Sequence, residues 1–226
     1  MKRDMELIGS VRVPGEGGKL CLYQRDGEFS LWVNGTELMN SLVHESEDAL
    51  SDLACSKLLG LPSPVVLIGG LGMGYTLAAA LKRLGSGAKV VVAELFADVI
   101  AWNRGPLGPL ADHPLDDGRV TVREVDVARI LQTEREEYDA VLLDVDNGPE
   151  GLVHDANNWL YTEDGLSAAF TALRPGGILA VWSASPDKAF RMRLRKTGFE
   201  TEENRIRVQV KHWDAHDTIW IAKRPV

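Results

Sequence analysis

Short runs of alternating apolar and polar residues fill the first forty positions of the chain. ELIGSVRV, KLCLYQ and FSLWVNG alternate in this way, which predicts three short strands joined by Gly-rich and Asp-Gly turns. The pattern then changes in HESEDALSDLACSKLLG, where Leu50, Leu53, Ala54 and Leu58 recur at helical spacing behind an acidic first turn. Residues 1–60 are therefore predicted to form a small N-terminal β region followed by one helix.

Residues 61–226 show a different pattern, in which nearly continuous apolar runs alternate with helical segments. The predicted strands are PVVLIGG, KVVVAEL, RVTVREV, YDAVLLDV and GILAVWSA, and the predicted helices between them are GYTLAAALKRLG, FADVIAWNRG, VARILQTERE and EDGLSAAFTALRPGG. Such alternation is typical of a parallel sheet covered on both faces. After one more helix, KAFRMRLRKTG, the runs RIRVQVKHW and HDTIWIAKR predict a terminal antiparallel hairpin. The predicted fold class is α/β, with a Rossmann-like, mostly parallel, doubly wound sheet that ends in this hairpin.

Net charge, hydropathy and cysteine content argue against several classes of protein. The net charge of -8 argues against a nucleic-acid partner, which would require a basic face. No apolar run is long enough to cross a bilayer, and the charged start MKRDMELIGSV lacks the apolar core of a secretory signal, so we expect no membrane association and a cytoplasmic location. Two cysteines are too few for a disulfide framework or a cysteine metal site, and no metal is expected. Strand edges in the N-terminal region would permit a homodimer.

A glycine-rich turn follows the first apolar strand. VLIGGLGMGYTLAAAL places Gly69, Gly70, Gly72 and Gly74 between that strand and the next helix. The dinucleotide fingerprint Gly-x-Gly-x-x-Gly fails because Tyr75 stands where its third glycine would fall, which argues against a nicotinamide dehydrogenase. The spacing that does fit, Gly-x-Gly-x-Gly, allows close approach of a nucleoside to the backbone.

Three acids stand at the ends of the next three strands. Glu94 in VVVAELF is placed to accept the ribose hydroxyls of a nucleoside. Asp126 in TVREVDVARIL is placed either to accept the amine of adenine or to cap the following helix, and Val127 is assigned to the same cofactor site. Asp144 in YDAVLLDVDNGPEG lies beside the predicted transfer centre. A glycine turn followed by these acids predicts an adenosine site, although a scatter of strand-end acids is the alternative.

With these motifs the sequence resembles the spermidine synthase family, the aminopropyltransferases built on the class I S-adenosylmethionine methyltransferase fold. The resemblance rests on IGGLGMG, AEL, EVD, YDAVLLDVDNGP and LYTEDGL. It implies that Glu94 binds the ribose, that Asp126 lies at the adenine and that Asp144 is the catalytic carboxylate.

The sequence departs from this family at the positions that bind the substrates. The family's turn reads Gly-Gly-Gly-Asp-Gly-Gly, and its Asp holds the amino group of decarboxylated S-adenosylmethionine; Gly72 stands there. Ile68 occupies the position at which ordinary methyltransferases carry an acid. Asn147 replaces a second family Asp, and ESEDA replaces a Tyr-Gln pair.

The expected chemistry is an in-line displacement at a sulfonium, in which Asp144 accepts the proton of an amine nucleophile. We assign Asp146, Asn147, Glu47 and Asp48 to binding of a small, cationic acceptor. The expected donor is S-adenosylmethionine or its decarboxylated form. Because the Asp of the glycine turn and the Tyr-Gln pair of the spermidine synthase family are both missing, methyl transfer to a small amine-bearing acceptor is the first expectation. Aminopropyl transfer to a polyamine is the alternative, and a nucleoside-binding pseudoenzyme is the second alternative.

Overall fold

The computed structural model describes residues 5–14, 18–145, 155–210 and 213–226. An antiparallel sheet of four strands in the order β1-β2-β3-β4 comes first. Its strands are β1 (Glu6–Arg12), β2 (Lys19–Arg25), β3 (Glu28–Val33) and β4 (Thr36–Asn40).

The last of these strands was not predicted. β4 contains only two apolar residues, Leu38 and Met39, and because they are adjacent the alternation typical of a strand is absent. Asn34 and Gly35 both have positive φ angles, of 50° and 81°, and so form a tight turn that returns the chain onto β3.

The larger sheet has seven strands in the order β10-β11-β9-β8-β5-β6-β7. These strands are β5 (Val65–Gly69), β6 (Lys89–Glu94), β7 (Val120–Glu124), β8 (Tyr138–Leu143), β9 (Leu173–Ser183), β10 (Glu200–Val210) and β11 (Trp213–Lys223). Five neighbouring strands, β9, β8, β5, β6 and β7, are parallel. The strand β11 pairs antiparallel with both β9 and β10. The predicted α/β fold class, with its terminal antiparallel hairpin, is confirmed.

Six α-helices connect the described strands. They are α1 (Glu45–Ser56), α2 (Tyr75–Arg83), α3 (Ala97–Arg104), α4 (Val127–Thr133), α5 (Glu163–Ala172) and α6 (Lys188–Thr197). Alternate residues of β5 divide the core between the two faces of the sheet. Val66 and Ile68 pack with α1, α2 and the N-terminal sheet, and Leu67 packs with α4 and α5. Both faces are thereby covered, as a parallel sheet requires. In the part of the chain that the structure describes, no helix combines the length and apolarity needed to span a bilayer.

Two helices end earlier than predicted. The run EDGLSAAFTALRPGG was predicted to be helical to its end, but the helix stops at Ala172 and Leu173 begins β9. Pro175 lacks an amide hydrogen and is unsuited to a helix interior. Likewise VARILQTERE stops at Thr133, because Glu134 is extended and its carboxylate binds Arg123 and Tyr138.

Candidate functional site

A cavity of about 310 Å³ lies between the carboxyl edge of the large sheet and the inner face of the N-terminal sheet. Parallel sheets of this kind bind ligands at this edge. The apolar wall comes from the N-terminal sheet and from residues at and after the ends of β6, β7 and β8, and the polar groups come from strand ends and from α1. The polar lining residues are Asn40, Ser46, Glu47, Glu94, Asp126, Asp144, Trp182 and Asp217.

The glycine turn contributes two of its four predicted residues to this cavity. Gly70 and Gly72 line it, with φ angles of +88° and +52°. A Cβ atom on Gly70 would lie 2.4 Å from the carbonyl oxygen of Asp144, and one on Gly72 would lie 3.0 Å from Cε of Met39. The turn therefore lies against the backbone of Asp144 on one side and against Met39 of the N-terminal sheet on the other.

The other two glycines serve the packing of the turn. A Cβ atom on Gly69 would lie 2.9 Å from a methyl group of Val127, and one on Gly74 would lie 2.9 Å from Oδ1 of Asn103. The Asn103 side chain is buried and donates a hydrogen bond of 2.9 Å to the carbonyl of Gly72. Asn103 braces the turn from outside the cavity, and the sequence pattern gave no indication of this role.

Glu94 lies where the sequence placed it, at the end of β6 and on the cavity wall. It is only 7% exposed. Its Oε2 accepts a hydrogen bond from the amide of Leu71, and its Oε1 accepts one from the amide of Phe96, both at 2.9 Å. Each carboxylate oxygen has a second lone pair, so the same side chain can accept ribose hydroxyls while it holds the glycine turn in place.

Asp126 performs the alternative role considered for it and also lines the cavity. Its Oδ1 accepts a hydrogen bond of 2.8 Å from the amide of Ala128 and so caps α4. The buried side chain of Val127 follows it on the cavity wall. One carboxylate oxygen is thus engaged by the cap of α4.

Asp144 follows β8 directly and lines the same cavity. Its Oδ2 accepts a hydrogen bond of 2.5 Å from the hydroxyl of Thr76, which lies on the first turn of α2 and is 2% exposed. Burial raises the pKa of Asp144, and the hydrogen bond from Thr76 opposes that shift.

Glu47 and Asp48, the two acids of α1 that were assigned to the acceptor, have different surroundings in the structure. Glu47 is 8% exposed and lines the cavity, where Ser46 donates a hydrogen bond of 2.8 Å to its Oε2. Burial, reinforced by the charge of Asp144, raises the pKa of Glu47 to about 8. Asp48 instead pairs with Nδ1 of His44 at 2.9 Å, and its side chain is 45% exposed. The structure therefore brings Glu47 into the site, and it places Asp48 outside the cavity lining.

Asp217 is a third cavity carboxylate, which sequence reasoning missed. It lies on β11, and its neighbour Thr218 pairs with Ser183, the last residue of β9. The indole of Trp182 donates a hydrogen bond of 3.1 Å to Oδ2 of Asp217. Burial raises the pKa of Asp217, and hydrogen bonds from Trp182 and Ser46 oppose the shift. No local motif marks Asp217, because its position depends on the register of β11 against β9.

The carboxylates follow the order of the strands across the sheet. Asp126 follows β7, Glu94 ends β6, the glycine turn follows β5, Asp144 follows β8 and Asp217 lies beside the end of β9. Asp146 and Asn147, which were also assigned to the acceptor, lie outside the described residues. Within the described ranges, no group of three or more His, Cys, Asp or Glu side chains is arranged to hold a metal ion.

Comparison with known proteins identifies the fold. No protein-family model matches the sequence, and no curated protein matches it. Among solved structures, the chain is similar to a spermidine synthase in complex with the transition-state analogue AdoDATO, with a TM-score of 0.74 and 18% identity over 97% of this chain and 73% of that one. It is also similar to the spermidine synthase from Thermotoga maritima, with a TM-score of 0.73 and 19% identity over the same shares of the two chains. The chain therefore has a spermidine synthase-like fold, in agreement with the resemblance found in the sequence.

Proposed function

We propose that this protein is an alkyltransferase that moves the aminopropyl group of decarboxylated S-adenosylmethionine to a small cationic amine. The observation that carries the proposal is the charge of the cavity. Five carboxylates line it, and none of its described lining side chains is Lys, Arg or His. Burial raises the pKa of three of these carboxylates, Glu47, Asp144 and Asp217, so a bound cation suits the site because it stabilises their ionised forms.

This charge distribution distinguishes between the two donors. Decarboxylated S-adenosylmethionine carries a sulfonium and an ammonium, and both are positive. The intact donor also carries a carboxylate, which would be buried in the same cavity as Asp144 and Glu47 without a described cation to pair with it. The cavity therefore favours the decarboxylated donor, in contrast to the first expectation from the sequence.

The proposed donor site uses the residues of β5, β6 and β7. Gly70 and Gly72 allow close approach of the backbone, Glu94 accepts the ribose hydroxyls, and Asp126 with Val127 lies at the adenine. The likeness to a spermidine synthase in complex with the transition-state analogue AdoDATO supports a donor of this chemical class. No metal takes part in the proposal.

The proposed acceptor lies on the other side of Asp144, towards β9 and β11. Asp144 orients the attacking amine and accepts its proton, so that the neutral nitrogen bonds to the propyl carbon. The bond between that carbon and sulfur breaks, and its electron pair stays on sulfur, which releases methylthioadenosine. Asp217 supplies a second carboxylate for the charge of the acceptor.

Methyl transfer from intact S-adenosylmethionine is the second candidate. It is favoured by the absence of an acid in the glycine turn, since Ile68 and Gly72 occupy the two positions at which an acid was considered. The amides at the start of α2 are then the nearest anion-binding groups of the turn.

The two activities are separated by their products. The protein is incubated with either donor and a panel of monoamines, diamines and longer polyamines, and products are identified by mass spectrometry. Methylthioadenosine and an aminopropylated amine would support the proposal, whereas S-adenosylhomocysteine and a methylated amine would support the second candidate. Binding of both donors without any product would favour a nucleoside-binding pseudoenzyme.

A further inference from the structure

We infer that Glu47 binds the ammonium group of the donor's aminopropyl tail. The inference rests on the proposed function and adds to it a residue that determines donor specificity. Glu47 lies on α1, outside the strand-end residues that form the rest of the donor site.

The glycine turn has no acid to offer that ammonium. Residues 69–74 contain none, and the side chain of Met39 lies against Gly72, one of the two turn residues that line the cavity. A Cβ atom on Gly72 would lie 3.0 Å from Cε and 3.1 Å from Sδ of Met39. A thioether cannot neutralise a buried ammonium, so the opposite charge has to come from another element.

Position across the sheet distinguishes the remaining acids. Asp217 lies two strands away from Asp144, on the side opposite β5 and the glycine turn. Glu47 instead belongs to a helix that packs on α2, where the hydroxyl of Ser51 donates a hydrogen bond of 2.6 Å to the carbonyl of Thr76. The chain also runs from Met39 through Asn40 to Glu47 along one wall of the cavity. Glu47 therefore lies on the helix that packs against α2, the helix that follows the glycine turn, and Ser46 also connects it to Asp217.

The surroundings of Glu47 suit a cationic ligand. The side chain is more than nine-tenths buried, and no Lys or Arg of the described chain forms an ion pair with it. The ionisable groups that act on it are Asp144 at the end of β8, Asp217 on β11 and Tyr75 on α2. Because burial raises the pKa of Glu47 to about 8, an ammonium that binds there has to displace the proton.

Methylthioadenosine supplies the reference ligand, since it shares the adenosine of the donor, has a neutral thioether where the donor has a sulfonium, and has no ammonium. Calorimetric titration compares its affinity with that of decarboxylated S-adenosylmethionine for the intact protein and for Glu47→Gln. We expect the substitution to weaken binding of the decarboxylated donor roughly 10- to 100-fold and to leave methylthioadenosine binding unchanged. Retained methylthioadenosine binding also shows that the variant is folded.

The pH dependence of the same titrations gives a second readout. In the wild-type protein, affinity for the decarboxylated donor should rise as the pH approaches about 8, because the proton on Glu47 then costs less to remove. Methylthioadenosine affinity should stay flat, and Glu47→Gln should flatten the curve for the decarboxylated donor.

A matched control comes from the same helix. Asp52 is exposed and pairs with Arg83, with a hydrogen bond of 2.7 Å between Nη2 and Oδ2, so Asp52→Asn should change neither affinity. If Glu47→Gln weakened binding of both ligands equally, or of neither, the inference would be overturned. The proposed donor site at the strand ends would not be affected by that result. If the wild-type protein bound neither ligand, the proposed function itself would fail.

Discussion

The hydroxyl of Thr76 donates a hydrogen bond to Oδ2 of Asp144 at 2.5 Å, which ties the carboxylate after β8 to the first turn of α2. This bond fixes the side chain that faces the proposed acceptor. It also favours the ionised form of a carboxylate whose pKa burial raises. Thr76 is thus a positioning residue for the proposed base.

Thr76→Val should lower kcat about 10-fold or more, because the carboxylate loses its orientation and its pKa rises further. The acid limb of the profile of kcat/KM against pH should accordingly move to higher pH. Thr76→Ser retains the hydroxyl and is the control. A valine variant with an unchanged pH profile would show that the hydrogen bond has no role in the reaction.

Asp144→Asn should lower the rate of transfer by about 10² to 10⁴, the range of a general base. Binding of methylthioadenosine should persist, because the proposed adenosine contacts lie at β5, β6 and β7. Single-turnover kinetics and titration with the nucleoside measure the two effects separately. Full activity in this variant would exclude Asp144 as the proton acceptor.

Glu94→Ala should weaken nucleoside binding by roughly 1.5–3 kcal/mol, the value of a charge-assisted hydrogen bond. It should also lower the melting temperature, since the amides of Leu71 and Phe96 lose their acceptor. Glu94→Gln keeps one carbonyl acceptor and should lie between the two proteins in both measurements. Unchanged affinity in the alanine variant would refute the ribose assignment.

Gly70→Ala should destabilise the fold far more than its φ angle alone requires. Gly27 has nearly the same angle, +89° against +88°, but a Cβ atom there would meet nothing within 4 Å. Gly27→Ala should therefore cost about 1 kcal/mol, the backbone term alone. At Gly70 the new atom would also meet the carbonyl of Asp144 at 2.4 Å. Denaturant unfolding of the two variants tests the difference, and equal costs would contradict the close approach.

Stability should fall as the pH rises from about 4.5 to about 8. The pKa of Glu47 is raised from 4.5 to about 8, so the folded protein holds a proton that the unfolded chain has already released. The loss is on the order of 1.4 kcal/mol for each pH unit within that window. Urea midpoints at several pH values should show it, and Glu47→Gln should reduce the slope. A slope unaffected by the substitution would assign the proton to other groups.

The fold and the strand-end acids that line the cavity were accessible from the sequence for a local reason. Each acid directly follows an apolar run in the sequence. Glu94, Asp126 and Asp144 could therefore be placed at strand ends without knowledge of how the strands pair. Asp217 was not accessible, because only the register of β11 against β9 brings it to the same edge. Cytoplasmic location, the domain boundary at residue 60 and a homodimer stay predictions.

Hydrophobic periodicity in the sequence does not show which of two adjacent acids, Glu47 or Asp48, faces the cavity. Glu47 and Asp48 are equivalent in the sequence pattern, but consecutive helical residues point about 100° apart. Packing of α1 against α2 turns Glu47 into the cavity and leaves Asp48 to His44. Such a choice depends on tertiary contacts, which a single sequence does not reveal.

The acids proposed to bind the donor and the acid proposed to bind the acceptor come from different stretches of the chain. The proposed donor contacts come from residues 69–127 and from Glu47 on α1, whereas Asp217 comes from the terminal hairpin. On the proposed function, sequence changes in β10 and β11 would alter which amine is accepted without disturbing the proposed adenosine contacts. A scaffold arranged in this way can acquire a new acceptor through its last strands while it keeps an inherited donor.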